Sequence, residues 1–165
     1  MKKLKKSELI DIKTGLPDLK MQLCHGDEIY KFVCVSVFDK WLSEEECDII
    51  YTDDEILLSD WRKRFENAII EIFNLTDTYL WRKKRHNRIS YYKPNSLKHL
   101  LIKCDILNQT WRSGRRYDIL LPEFSAIYSE EWDWTNIIWY KDIEKVKPVL
   151  EALQNAGLHI LPVNN

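Results

Sequence analysis

The sequence predicts an α+β fold, a single domain over residues 1–165 in which a mixed, mainly antiparallel β-sheet is packed by three to four helices. Three observations carry that expectation. Residues 30–38, from Tyr30 to Phe38, are dense in β-branched and aromatic side chains, the composition of a largely buried strand. Trp61, Phe65, Ile69, Ile72 and Phe73 recur at the spacing of one helix face. Asp142 and Gly157 bracket a second apolar-periodic stretch as cap and left-handed stop, and another apolar run follows. A length of 165 residues suits one domain that buries a core without staples, and a composition of 45% hydrophobic and 31% charged residues belongs to a folded chain.

In chain order, residues 1–20 read as a mobile basic N-terminal segment. Its lysines are not followed by the apolar run of an export signal, and nowhere does the chain hold the ~20 apolar residues of a membrane span. Gly15-Leu16-Pro17 and Cys24-His25-Gly26-Asp27 mark turns before the strand at 30–38. Ser43 with Glu46 three residues on has capping-box spacing and predicts a short helix. Ser59-Asp60 then caps a helix over 59–73. Tyr79 to Lys93 lacks clean periodicity and ends at Pro94, which predicts a strand followed by a loop. Asn95-Ser96 caps a helix over 95–107, with Leu97, Leu100, Leu101 and Cys104 on one side.

Tyr117–Leu121, Phe124–Tyr128 and Thr135–Tyr140 read as strands, the last two antiparallel across Glu130-Glu131. The helix after Asp142 places Ile143, Val146, Leu150, Leu153 and Ala156 inward, and Pro148 requires that it bend there or start near Lys147. Leu158–Val163 resumes as strand. The strand–helix–strand order from Thr135 to Val163 implies a parallel pair, which is what makes the expected sheet mixed.

Several chemistries are disfavoured. Cys24, Cys34, Cys47 and Cys104 show no CxxC pair and read as reduced thiols of a cytoplasmic protein. His25, His86, His99 and His159 form no metal-ligand spacing, and Cys24-His25 reads as two unrelated neighbours rather than nucleophile and base. Four glycines are too few for a phosphate-cradling loop. Glu8, Asp11 and Lys13 have a nuclease-like spacing that short sequences reach by chance. The sequence therefore assigns no catalytic residue, metal or cofactor, and places no part of the chain in a membrane.

Charge is segregated. Residues 21–60 hold eleven acids and two bases, 81–116 hold eleven bases and the single acid Asp105, and 117–165 hold eight acids and three lysines. Such blocks either face each other or solvate separate surfaces, unless one of them binds a partner. Acids steer a basic partner and tryptophan anchors it, and seven Trp exceed what one core needs. With catalysis disfavoured, the expectation is a non-enzymatic inhibitor that neutralises a protein partner, as bacterial immunity proteins and antitoxins neutralise a cognate toxin. Its docking residues are expected to be Glu44, Glu45, Glu46, Asp53, Asp54, Glu130, Glu131, Trp132, Asp133 and Trp134. The alternative is nucleic-acid binding by cations and stacking rings between 81 and 116: Trp81, Arg82, Lys83, Lys84, Arg85, Arg88, Tyr91, Tyr92, Trp111, Arg112, Arg115 and Arg116. An isoelectric point near 6.4 and the lack of a known nucleic-acid-binding signature weigh against that alternative.

Overall fold

A computed structural model describes residues 1–25, 29–85, 88–104, 117–131 and 133–161. The strands are β1 (Lys2–Lys3), β2 (Lys31–Ser36), β3 (Tyr79–Lys84), β4 (Arg88–Lys93), β5 (Asp118–Leu121), β6 (Ala126–Ser129), β7 (Thr135–Tyr140) and β8 (His159–Leu161). The α-helices are α1 (Ile10–Gly15), α2 (Leu19–His25), α3 (Glu55–Leu75), α4 (Leu97–Lys103) and α5 (Ile143–Asn155), with 3-10 turns at Lys6–Leu9, Glu44–Tyr51 and Pro122–Phe124. The described strands form one sheet in the order β1-β4-β3-β5-β6-β7-β2-β8, and all its pairings are antiparallel.

The expected parallel pair is therefore corrected. β7 and β8 run in the same direction, but β2 lies between them and is antiparallel to both, so α5 carries the chain across one strand. Residues 79–93 are also not strand and loop but a hairpin, with Leu80 opposite Tyr92 and Lys84 opposite Arg88. Its alternation is hard to read because both faces of the sheet are covered: Leu80 enters one core while Tyr79 and Trp81 enter another.

The first core lies under the helices. Trp61, Phe65, Ala68, Ile69 and Ile72 of α3, Leu100 of α4, and Val146, Val149 and Leu153 of α5 join Val35, Ile119, Leu121, Tyr128 and Ile138 of the sheet. The boundaries of α3 and α4 differ from expectation, and that of α5 agrees with it. α3 starts four residues before Ser59, because the Asp54 carboxylate accepts the Ile56 and Leu57 N–H groups at 2.9 and 3.2 Å. α4 is capped by Ser96 as expected and ends at Lys103, while residues 105–107 of the expected helix lie outside the described residues. α5 starts at Ile143 under its Asp142 cap and runs through Pro148. It buries Val146, Val149, Ala152 and Leu153, leaving Ile143 exposed and Leu150 half-buried. Gly157 supplies the stop at φ 88°, and β8 follows for three residues before residues 162–165, which lie outside the described set.

The second core covers the opposite face and takes four side chains from residues 1–20, the segment expected to be mobile. Leu4, Ile12, Leu16 and Leu19 pack with Tyr30, Tyr79, Leu120 and Ile127. Tyr30 donates its hydroxyl to the Pro17 carbonyl at 2.8 Å, Lys141 pairs with Asp18 at 3.1 Å, and Glu8 pairs with Lys2. The closest approach is at Gly15, where a Cβ would stand 2.2 Å from the Pro122 carbonyl oxygen. Gly15→Ala is therefore expected to push α1 off the Pro122 turn and to cost ~1–3 kcal/mol, the range of overpacked cores. Urea denaturation measures it, and a midpoint equal to the parent's would mean that α1 does not dock there.

Among the described residues no helix is long and apolar enough to cross a membrane.

Candidate partner-binding surface

The acidic stretch after β2 is built from its anchors outward. The chain leaves the sheet where the Val37 N–H and the Ser36 hydroxyl both donate to the Trp134 carbonyl, at 3.3 and 3.1 Å. Ser43 then opens the turn Glu44–Tyr51, which is 3-10 rather than α-helical, with the expected capping box. The Ser43 N–H donates to the Glu46 carboxylate at 3.0 Å. Lys40 pairs with the same carboxylate, and these bonds hold the Glu46 pKa down to about 2. Asp54 closes the segment by capping α3.

Beneath it lies an aromatic cluster. Phe38 meets Trp61 edge-on at 5.2 Å between ring centres, and Trp134 packs on Trp61 at 5.2 Å and on Phe65 at 6.4 Å. The Trp134 indole N–H donates to the Ile50 carbonyl at 3.3 Å, which ties the 3-10 turn to the sheet. Trp134 reaches this position from a left-handed backbone, φ 61°.

Held this way, the segment exposes Glu44, Glu45, Asp48, Asp53, Asp54 and Glu55, with Glu46 half-exposed. Between them stand large apolar side chains at unusual exposure: Trp41 at 44%, Ile49 at 40%, Tyr51 at 64% and Ile56 at 84%. The sequence reading missed all four. Ile56 lies five positions before Trp61, about 140° around the helix at 3.6 residues per turn, a position that the period reveals only once α3 is known to begin at Glu55. Tyr51 and Trp41 carried no comparable signal.

The structure brings Glu44–Asp54 and Trp134 together and places the second acidic turn deeper than the first. Glu130 is buried at 6% exposure, and its charge adds to burial in pushing the Cys104 thiol pKa up. Glu131 and Asp133 are half-buried, and their charges, after burial, push the Cys34 thiol up. Trp134 supports the surface rather than presenting itself on it. Trp132 lies outside the described residues. No protein-family model, curated protein or solved structure matches the chain.

The basic segment is also rearranged. Trp81 donates its indole N–H to Asp118 at 2.6 Å and packs with Tyr91 against the second core, so both half-buried rings are engaged there. Arg82, Arg85 and Arg88 are exposed and Tyr92 is half-buried. Lys83 and Lys84 belong to β3, while Trp111, Arg112, Arg115 and Arg116 lie outside the described residues. Four strand steps separate β3 from β2, about 19 Å at 4.8 Å per step. Among the described residues no ion pair joins Glu44–Asp60 to Arg82–Lys103, so the two blocks occupy separate surfaces.

Among the described residues no group of three or more His, Cys, Asp or Glu side chains is placed to hold a metal ion. Glu8, of the nuclease-like spacing, is engaged by Lys2 and by the Lys5 N–H at 2.8 Å, while Ile12 is core. A cleft of about 290 Å³ beside the end of α3 is lined by Asn74, Asp77, Thr78 and Lys93, of which Asp77 and Lys93 neutralise each other at 2.6 Å.

Proposed function

We infer that the protein is a non-enzymatic inhibitor that binds and blocks a protein partner, in the manner of an immunity protein or antitoxin, and that it docks through residues 41–56. The observation that carries this reading is the exposure of Tyr51 and Ile56 among acids on a capped, tethered segment. An apolar side chain moved from water into a partner's pocket gains ~1.5–3 kcal/mol. A backbone already held by Asp54, Ser43 and Trp134 loses little freedom when this happens. Seven acids around these anchors select a partner whose rim is basic and speed the encounter with it.

The test starts from the protein that co-purifies from the native cell, characterised for the activity that this chain suppresses. Tyr51→Ala with Ile56→Ala is expected to weaken the purified complex by about 30-fold or more, mainly by faster dissociation, as truncated anchors do. Glu44→Lys, Glu45→Lys and Asp48→Lys together are expected to slow association and reduce its salt dependence. If both folded variants bind and protect as the parent does, segment 41–56 is not the docking surface. If the co-purifying protein loses no activity in the complex, the inhibitor reading fails.

A further inference from the structure

The sheet register places cations where the sequence order does not. On β4, Arg88, Ser90 and Tyr92 share one face of the sheet, and the partners across from Ser90 and Tyr92 bring Arg82 of β3 and Lys3 of β1 onto that same face. Lys3, Arg82 and Arg88 thus stand in three successive rows, each about 7 Å from the next along the strands. That row repeat is near the length of an extended nucleotide, and with the strand offsets added the backbone positions stand about 12 Å apart from Lys3 to Arg82, two strands away, and about 8 Å apart from Arg82 to Arg88 on neighbouring strands. Tyr92, half-buried, lies in the first row beside Lys3. The face is the helix-bearing one, since Leu80, in the Tyr92 row, belongs to the same core as Leu100 of α4, and α4 adds the exposed Lys98 and Lys103. Among the described residues Lys3, Arg82 and Arg88 form no ion pair, whereas Lys93 and Lys2 of the opposite face are taken by Asp77 and Glu8.

We propose that this face of the β1-β4-β3 edge binds single-stranded nucleic acid, with Lys3, Arg82 and Arg88 each on a phosphate of the strand and Tyr92 as the stacking ring. The surface is distinct from segment 41–56, so this assignment does not rest on the inhibitor reading. It differs from a sequence-only nucleic-acid site in its members: Trp81 and Tyr91 are excluded because they serve the second core, and Lys3 of the N-terminal strand enters. Neutralising phosphates releases counterions, so affinity falls with salt in proportion to the contacts made. A ring adds sequence-tolerant stacking.

The experiment is fluorescence anisotropy of a labelled oligothymidylate with the full chain, repeated between about 50 and 200 mM salt. Lys3→Ala with Arg82→Ala and Arg88→Ala is expected to lower the magnitude of the slope of log K against log salt by about 2, from ~0.7 per phosphate contact. Arg82→Lys with Arg88→Lys keeps the slope and controls for folding. Tyr92→Ala is expected to weaken binding by about 5- to 150-fold with the slope unchanged, the range for one stacked base. The assignment is overturned by an absence of binding to the parent chain at low salt, or by a slope that the folded triple variant leaves unchanged. Tighter binding to phosphatidylserine vesicles than to the oligonucleotide overturns it in favour of a membrane surface. Equal binding of duplex and single strand with no effect of Tyr92→Ala removes the single-strand assignment.

Discussion

Ile69→Asp is expected to leave the chain unfolded. Ile69 is fully buried on the face of α3 that also carries Trp61, Phe65, Ala68 and Ile72. The core that receives this face is built of Val35, Ile119, Tyr128 and Ile138, so the sheet side offers no cation to a new carboxylate there. Removing the side chain forfeits ~2–3 kcal/mol of burial. An ionised carboxylate taken out of water without a partner costs several kcal/mol more after relaxation. Against the ~5–15 kcal/mol that holds a domain of ordinary stability, the sum is decisive. The measurement is far-ultraviolet circular dichroism and a thermal melt of the variant beside Ile69→Val, which trims one methyl group and is expected to cost ~0.5–1.5 kcal/mol. A cooperative transition in Ile69→Asp near the parent's temperature would mean that α3 does not seat on the sheet by this face.

The elements that were legible in the sequence are those with one face in water. α3 and α5 announce themselves because only one side of each packs on the sheet, so the 3.6-residue period survives; the Asp142 cap of α5 is legible too, whereas Ser59-Asp60 masks the true α3 cap at Asp54. β2 was legible by composition. The β3–β4 hairpin was not: Tyr79 and Trp81 fill one core and Leu80 the other, and cations occupy the remaining positions, so no polar-out alternation marks the strands. The place of β8 was hidden because strand order depends on which strand fills the gap under α5, a long-range choice that local sequence does not encode. In the candidate site, the acids of residues 44–55 were legible as charge. Glu130 is not distinguishable from them in the sequence, since its burial comes with tertiary pairing: its backbone N–H donates to the Tyr117 carbonyl at 3.0 Å. In the sequence the two acidic stretches look like one kind of surface, whereas Glu44–Glu55 is largely displayed and Glu130, Glu131 and Asp133 are buried or half-buried.

Trp134 is where that support is concentrated, and Trp134→Ala is expected to cost ~2–4 kcal/mol, somewhat below the range for a fully buried tryptophan because the ring is half-buried. Two losses combine. The indole leaves a gap against Trp61 and Phe65, and the Ile50 carbonyl loses its donor, a bond worth ~0.5–1.5 kcal/mol. The left-handed backbone at φ 61° gives nothing back, because alanine is no better suited to it than tryptophan. Trp134→Phe separates the losses: it keeps a ring in the cluster and removes only the N–H, so its cost is expected to be ~1 kcal/mol. Urea denaturation of the three chains gives both numbers. Under the inhibitor reading proposed above, the same substitution acts on binding through the segment it tethers. With Glu44–Tyr51 no longer bonded to Trp134, the turn must be ordered during docking, and each side chain newly immobilised then costs ~0.5–1.5 kcal/mol of affinity. Trp134→Ala should therefore weaken the partner complex although no contact of Trp134 with the partner is invoked, and Trp134→Phe should weaken it less. A folded Trp134→Ala chain with parental stability and parental affinity would show that the acidic segment holds its shape without the indole, and that its rigidity arises in the Ser43 and Asp54 caps alone.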